Sequence, residues 1–212
     1  MKTKSEEVFE SFLTLNNIPF KRIEAVQESG SRRPDYSVQV GNCELIFEVK
    51  ELVEDEKFGV VSDPLHPDIK LSSRTLGKHV RRTIERARKQ IQWGSKQGIP
   101  SILLIYNSLD PVFQDFGTAD LDFISAMYGE PTVEFDRSTR KTSEPYNGRN
   151  DSLQESKNTS FSAVGRLAEK SGKVTVTLFE NVFAEPKLPY DQLPPCIEVR
   201  RVEVSRDPLS FA

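Results

Sequence analysis

The chain has 212 residues, of which 36% are hydrophobic and 29% are charged. This length is sufficient for one domain with a buried core, and the apolar content excludes a disordered chain. The formal net charge of −3 excludes binding of nucleic acid through overall positive charge, so any such contact requires a local basic surface.

The N-terminal residues lead directly into a helical pattern, without the apolar stretch of a signal peptide, and no run approaches the roughly eighteen apolar residues of a membrane span. We therefore expect a cytoplasmic protein without a membrane segment. The two cysteines, Cys43 and Cys196, belong to no CxxC or Cys/His cluster. Their positions argue against a disulfide framework and against a structural zinc site.

The beginning of the chain predicts one helix and three strands. Apolar residues at helical spacing predict the helix over 5–16, with Ser5 as its N-cap. A short strand is expected over 20–25. Two further strands, over 35–40 and 43–50, follow a polar stretch that ends in proline.

The next segment, 51–73, is charged and interrupted by prolines, which predicts a long loop or flap. A buried apolar stripe then predicts a helix over 76–96 that ends before Pro100. The apolar run 101–106 is typical of an interior strand covered on both faces. A helix before such a strand predicts a crossover connection.

The second half of the chain has a weaker pattern. We predict a helix over 119–128, a polar mobile loop over 137–160, and strands over 173–180 and 197–205 joined by the proline-rich segment 186–195. These elements predict one domain over 1–212 with an α/β fold: a mixed central β-sheet flanked by helices, followed by C-terminal additions.

The dipeptide Gly41-Asn42 between two alternating runs predicts a two-residue hairpin turn. This register pairs Asp35 with Glu48, and alternation places Lys50 on the same face. Like charges directly opposed on a sheet destabilise it. A divalent cation would compensate, because Mg²⁺ favours one or two carboxylates together with water and phosphate oxygens.

The short pattern of an acid, any residue and lysine is weak by itself. It begins at five positions: Glu48, Asp55, Asp68, Glu155 and Glu185. Only Glu48 follows an apolar strand and pairs in register with an acid that proline precedes. The alternative is a solvated hairpin face on which Lys50 screens two carboxylates.

Pro34-Asp35, twelve residues, and then Glu48-Val49-Lys50 resembles the signature of PD-(D/E)xK nucleases, which share the restriction-endonuclease-like fold. The resemblance covers roughly residues 5–107. It includes a preceding helix with acidic residues and a following helix that leads into an apolar strand.

This resemblance implies that Asp35, Glu48 and the backbone carbonyl of Val49 bind Mg²⁺, for which Mn²⁺ can substitute. Lys50 would then orient and activate the attacking water and offset charge on the phosphate.

Two further residues have a role only by resemblance. Glu6 would add a metal ligand from the first helix, and Gln90 matches the glutamine that some subgroups place beside the site. For both residues the alternative is an ordinary surface or boundary position.

A local basic surface is predicted on the helix over 76–96. Between Arg74 and Lys89 there are seven Lys or Arg residues and one acid. Four of them share one helical stripe suited to phosphates: Lys78, Arg82, Arg86 and Lys89. A plain solvated helix face is the alternative.

Together these observations predict Mg²⁺-assisted hydrolysis of a nucleic-acid phosphodiester, most directly in DNA. The rival hypothesis is a non-catalytic module that uses the same scaffold to hold nucleic acid or a protein partner. The sequence is compatible with either a monomer or a homodimer.

Overall fold

This computed structural model describes residues 2–24, 33–53, 60–62, 65, 70–72, 75–108 and 117–205. Its helices are α1 (Lys4–Leu15), α2 (Lys78–Ser95) and α3 (Asp120–Tyr128). Its first strands are β1 (Phe20–Arg22), β2 (Tyr36–Val40), β3 (Cys43–Leu52), β4 (Val60–Ser62), β5 (Lys70–Ser72) and β6 (Ser101–Asn107). The later strands are β7 (Pro131–Thr132), β8 (Phe135–Asp136), β9 (Lys141–Thr142), β10 (Tyr146–Asn147), β11 (Ala163–Lys170), β12 (Lys173–Glu180) and β13 (Ile197–Arg200).

Seven strands form one mixed sheet in the order β1-β2-β3-β6-β11-β12-β13. The pairs β1–β2, β2–β3 and β11–β12 are antiparallel, and the pairs β3–β6, β6–β11 and β12–β13 are parallel. Parallel neighbours require a crossover connection, which α2 supplies between β3 and β6. The predicted α/β class, with a mixed central sheet flanked by helices, is confirmed.

The two faces of the sheet bury separate apolar clusters. On one face, α1 places the ring of Phe9 at 5.1 Å from that of Phe47 and 5.4 Å from that of Tyr36. On the other face, α2 and α3 cover the sheet, and Phe123 of α3 stacks on Phe179 of β12 with ring centroids 4.7 Å apart. Helices on both faces explain why the central strands are apolar on both sides.

The largest difference from the sequence prediction is β11, which the sequence pattern did not indicate. It lies between β6 and β12, near the centre of the sheet. At Gly165 a Cβ atom would lie 2.7 Å from a methyl carbon of Leu178 and 2.8 Å from one of Leu104. Glycine therefore lets the neighbouring strands' side chains close over β11, and the C-terminal additions extend the same sheet as the first half.

The segment 51–73, predicted as a long loop or flap, contains paired strands where the structure describes it. β3 continues to Leu52, and β4 pairs with β5 as an antiparallel hairpin. The rest of that segment lies outside the described residues. The segment 137–160 contains β9, β10 and the buried side chain of Leu153, and its mobility stays a prediction.

A close approach between helix and sheet fixes the position of α2. A Cβ atom at Gly94 would lie 2.4 Å from the hydroxyl oxygen of Ser101 and 2.8 Å from Cγ1 of Ile46. Only a residue without a side chain fits there unless its neighbours move. The C-terminal end of α2 is therefore held directly over Ile46 of β3 and the beginning of β6.

Two expectations from composition concern membranes and cysteines. Of the helices in the described ranges, none combines the length and apolar character needed to cross a membrane. Cys43 and Cys196 are free thiols and are half-buried.

Candidate active site

Asp35 lies immediately before β2, where the hairpin places it beside β3. The observed register pairs Val40 with Cys43, Val38 with Leu45 and Tyr36 with Phe47, as the two-residue turn predicted. The backbone N–H of Asp35 donates to the carbonyl of Phe47 at 3.1 Å. This bond continues the ladder by one step and brings Asp35 opposite Glu48.

The carboxylate of Asp35 accepts a hydrogen bond from the backbone N–H of Val49 at 2.8 Å. In an extended strand the N–H and C=O of one residue point to the same side. The carbonyl of Val49 therefore points towards the side on which Asp35 lies. Both groups lie just beyond Tyr36, the first residue of β2, at the end of the sheet where that strand begins.

Glu48 is buried, with 1% of its surface exposed. The Lys50 ammonium forms an ion pair with Oε1 of Glu48, because the two residues are two apart on one face of β3. The second oxygen, Oε2, is also buried and has no hydrogen-bond partner among the residues that the structure describes. When Glu48 is protonated, its carboxyl can share that proton with the Asp35 carboxylate, which lies within hydrogen-bond reach. When Glu48 is ionised, a buried oxygen without a donor is destabilising, and a cation can take the place of the proton.

The electrostatics of the site follow from burial and from the pairing of two acids. The pKa of Glu48 is raised to about 8, first by burial and then by the negative charge of Asp35, while the Lys50 ammonium acts in the opposite direction. Burial also raises the pKa of Asp35. Two ionised carboxylates at this place therefore require more positive charge than one lysine provides.

The packing of α2 on β3 brings Gln90 to the level of Glu48 along the sheet. α2 runs antiparallel to β3, and its residue Gly94 lies over Ile46. Gln90 is one helical turn before Gly94, about 6 Å along the axis, and Glu48 is two residues after Ile46, about 6.6 Å along the strand. Both steps lead in the same direction, towards the carboxyl end of β3.

Gln90 is 8% exposed, and its Oε1 is buried without a hydrogen-bond partner in the described part of the chain. The structure thus provides two unpartnered buried oxygens, one on Glu48 and one on Gln90, on the same face of the sheet. A cation or a water held by these groups would satisfy both.

Glu6, the residue assigned to the metal from the first helix, has other partners. Its carboxylate accepts from the N–H of Thr3 at 2.9 Å in a capping box and pairs with Arg22 at 3.2 Å. Its negative charge nevertheless contributes to the raised pKa of Asp35. A role for Glu6 as a ligand would require it to leave Arg22, and it stays a prediction.

Most of the basic stripe on α2 is exposed. Lys78, Arg86 and Lys89 are exposed, and Arg82 is half-buried. Lys78, Arg86 and Lys89 make no ion pair with any residue in the described ranges. Arg81 is adjacent in sequence but has a structural role, since its guanidinium donates to the carbonyl of Leu76 at 2.6 Å.

Sequence reasoning missed Arg33. Its guanidinium lies 6.0 Å from the centre of the Trp93 ring, and its Nε is buried without a hydrogen-bond partner among described residues. Trp93, Gln90 and Arg86 are spaced by three and four residues, so they share one side of α2. The double arginine before Pro34 was the available signal, but nothing in the sequence indicated the contact with Trp93.

The donor set suits a hard divalent cation. No group of three or more His, Cys, Asp or Glu side chains with metal-binding geometry occurs in the described ranges. Two carboxylates, a backbone carbonyl and an amide oxygen are oxygen donors of the kind that Mg²⁺ accepts, with water completing its shell. The unpartnered Oε2 of Glu48 fits such an ion, because a cation would replace the missing donor.

Comparisons with known proteins give no match: no family model, no curated protein and no solved structure is similar to this chain.

Proposed function

We propose that the chain is a metal-dependent nuclease of the PD-(D/E)xK type, which hydrolyses phosphodiester bonds in nucleic acid, most directly in DNA. The observation that carries the proposal is the buried carboxylate of Glu48. One of its oxygens has no partner among the described residues, while Asp35 and Lys50 lie on either side. Perturbed acids that meet at one end of a sheet are typical of catalytic sites.

The arrangement of elements supports the restriction-endonuclease-like assignment. α1 precedes an antiparallel β1–β2–β3 unit, and α2 then crosses over to β6, which is parallel to β3. This order matches the one that the resemblance implies. Fold alone does not determine activity, so the proposal depends on the residues of the site.

Asp35, Glu48 and the Val49 carbonyl would hold Mg²⁺, or Mn²⁺ in its place. When bound, the ion supplies a more acidic water and a Lewis acid at the phosphate. Asp35 is fixed for this task by the N–H of Val49, and burial keeps bulk water away from Glu48. Both carboxylates would be ionised in that state, since the cation offsets their repulsion.

Lys50 and Gln90 would act on the water and the phosphate. In hydrolysis a bond forms between the water oxygen and phosphorus, and the bond from phosphorus to one ester oxygen breaks. The Lys50 ammonium is placed to donate to a phosphate oxygen as negative charge develops there. The unpartnered Oε1 of Gln90 can accept a hydrogen bond from the water and so orient it.

The test is single-turnover cleavage of labelled double-stranded DNA, single-stranded DNA and RNA, with Mg²⁺ or Mn²⁺. We expect cleavage of at least one substrate by the wild type and none by Glu48→Gln. Glu44→Gln is the matched control. Glu44 is exposed on the same hairpin, and its substitution removes the same charge. Equal rates for the two variants, or no cleavage of any substrate by the wild type, would reject the proposal.

The Glu48–Lys50 ion pair favours a second candidate. Because the ammonium already offsets part of the buried charge, the site could persist without a cation in a module that only binds nucleic acid or a protein partner. Calorimetric titration with Mn²⁺ distinguishes the two functions. A nuclease site should bind Mn²⁺ and lose that binding in Glu48→Gln, whereas a non-catalytic module should show no difference between the two proteins.

A further inference from the structure

A second concave site lies at the carboxyl end of the parallel strands, apart from Asp35 and Glu48. It is a cavity of about 440 Å³ between the ends of β6, β11 and β12. Ligands of open α/β sheets bind in the crevice outside the carboxyl ends of the strands. The volume is within the usual range for small-molecule sites, about 300–1,000 Å³.

Small residues form the floor of this cavity and cations surround it. Ala168 and Thr175 are directly opposed in the β11–β12 ladder and leave the space open. Arg166 lies two residues before Ala168, and Lys170 lies two residues after it. Alternation along a strand places all three on one face, and the register adds Lys173 opposite Lys170.

Lys170 and Lys173 face each other across the β11–β12 turn, and both are exposed. Like charges directly opposed, with Cβ atoms about 4.5–5.5 Å apart, destabilise a sheet. Glu169 also borders the cavity, but its carboxylate pairs with Lys4 at 3.5 Å. A bound anion would therefore relieve a repulsion that these neighbours leave in place.

Two hydrogen bonds fix the guanidinium of Arg166 and leave part of it available to a ligand. Its Nη1 donates to the carbonyl of Thr118 at 3.2 Å and to Asp120 at 2.8 Å. These two bonds fix the guanidinium, while its Nε and Nη2 donate to no other residue within the described ranges. The side chain is 27% exposed. A fixed guanidinium with two unused donors is suited to phosphate recognition.

The cavity and the candidate active site share one face of the sheet. Lys50 pairs in register with Ile105, and Ile105 pairs with Arg166, so the three side chains form one row across parallel strands. Two strand spacings separate Lys50 from Arg166, about 9.6 Å. Ile105 itself is buried, so a nucleic-acid strand with a phosphate at Lys50 would reach the cavity past the carboxyl ends of the strands and not over this row.

From this placement we propose that the cavity binds one nucleotide of the substrate strand near the cleaved bond, with its phosphate contacted by Arg166, Lys170 and Lys173. The inference rests on the proposed nuclease function for the identity of the strand. The shared chemistry is a nucleoside monophosphate unit, whether within a strand or free in solution.

The test measures binding of a fluorescent single-stranded DNA by anisotropy in EDTA. A strand of about twenty nucleotides exceeds the roughly 4–16 nucleotides that one OB-fold domain covers. The double variant Lys170→Gln/Lys173→Gln removes two of the three cations proposed to contact the phosphate. We expect binding about tenfold weaker and a salt slope lower by about 0.7, the value for one phosphate. Lys157→Gln/Lys187→Gln is the matched control. Both lysines are exposed and do not line the cavity, and replacing them removes the same charge.

A third variant, Ala168→Met, fills the floor without changing charge and should also weaken binding. Thermal unfolding of each variant establishes whether it is folded. If Ala168→Met does not fold, the lysine variant still decides the test, because its two substitutions are at exposed positions. Binding by the lysine variant equal to that of its control overturns the proposal. Thymidine 5′-monophosphate that binds at the cavity without competing with the strand would also overturn it, because the ligand would then be a free nucleotide.

The two proposals can fail separately. Cavity-dependent binding in EDTA without cleavage in Mg²⁺ or Mn²⁺ would leave the cavity in place and reject the nuclease. If the wild type cleaves, and the lysine variant and its control cleave at equal rates, only the cavity proposal is rejected.

Discussion

The carboxylate of Asp35 and the backbone N–H of Val49 form a 2.8 Å hydrogen bond that joins the residue before β2 to the middle of β3. This bond attaches a proposed metal ligand to a buried strand of the central sheet. The position of Asp35 therefore depends on the hairpin register, and the Val49 carbonyl is oriented by the same contact.

Asp35→Asn should abolish cleavage and leave the fold intact. The amide oxygen of asparagine can still accept from Val49, but it carries no charge for a cation. Asp35→Ala removes the acceptor as well, so we expect it to be less stable than Asp35→Asn by about 1–3 kcal/mol, the cost of an unsatisfied buried donor. Denaturant unfolding and single-turnover cleavage provide the two measurements, and near-normal cleavage by Asp35→Asn would contradict the assignment.

Glu48 should make stability depend on pH. Its carboxyl has a pKa near 4.3 when unfolded and about 8 when folded, so the folded state holds an extra proton between these values. Stability should therefore fall as pH rises from about 4.3 to 8. Glu48→Gln keeps the shape without the titration. We expect it to match the wild type near pH 4 and to be more stable than the wild type near pH 8.

Denaturant unfolding of both proteins across this range measures the effect. Saturating Mn²⁺ should recover much of the wild-type stability near pH 8 and should leave Glu48→Gln unchanged, because metal binding stabilises the ionised carboxylates. A stability difference that is constant with pH would show that Glu48 does not retain its proton.

Lys50→Met keeps much of the side chain's length but removes its charge. We expect cleavage at least about a hundredfold slower, the scale of losing one electrostatic donor in a preorganised site. Mn²⁺ should still bind, since the two acids remain. Calorimetry beside single-turnover cleavage separates the outcomes: loss of metal binding as well would make Lys50 structural, and loss of neither would remove it from the mechanism.

Arg86→Ala and Lys89→Ala should each weaken DNA binding and lower its salt slope by about 0.9 on duplex DNA. Arg88→Ala is the control, because Arg88 is exposed on the same helix but lies off the stripe. Anisotropy titrations at several salt concentrations distinguish them. If all three variants gave the same slope, the stripe would be an ordinary solvated surface.

The sequence predicted the hairpin well because two local rules agree there. The turn at Gly41-Asn42 fixes which residues pair, and alternation fixes which face each side chain occupies. Together they predicted the pairing of Tyr36 with Phe47 and the proximity of Asp35 to Glu48. Neither conclusion required knowledge of the rest of the fold.

The sequence could not predict β11 in the same way. Its residues include Ala163, Gly165 and Ala168, which have low strand propensity, and Arg166 interrupts the apolar pattern. The strand forms because β6 and β12 pair with both of its edges and because Leu104 and Leu178 close over the glycine. These are contacts between residues far apart in sequence.

The unpartnered oxygens of Glu48 and Gln90 also depend on distant contacts. Spacing placed Gln90 on α2, but its burial results from how deeply the helix packs on the sheet. Likewise, the partner of Glu6 is Arg22, because β1 pairs with β2 at the sheet edge next to α1. Sequence spacing indicated candidates, whereas three-dimensional neighbours determine which of their atoms are occupied.

Gly94 shows that a residue without a functional group can determine the geometry of a site. The space that a methyl group would need is filled by Ser101 and Ile46, so α2 can come no nearer and a larger residue would lift it away. One turn along, that separation determines how far the amide of Gln90 stands from Glu48. The spacing of the proposed catalytic groups thus depends on a glycine, a residue that has no reactive side chain of its own.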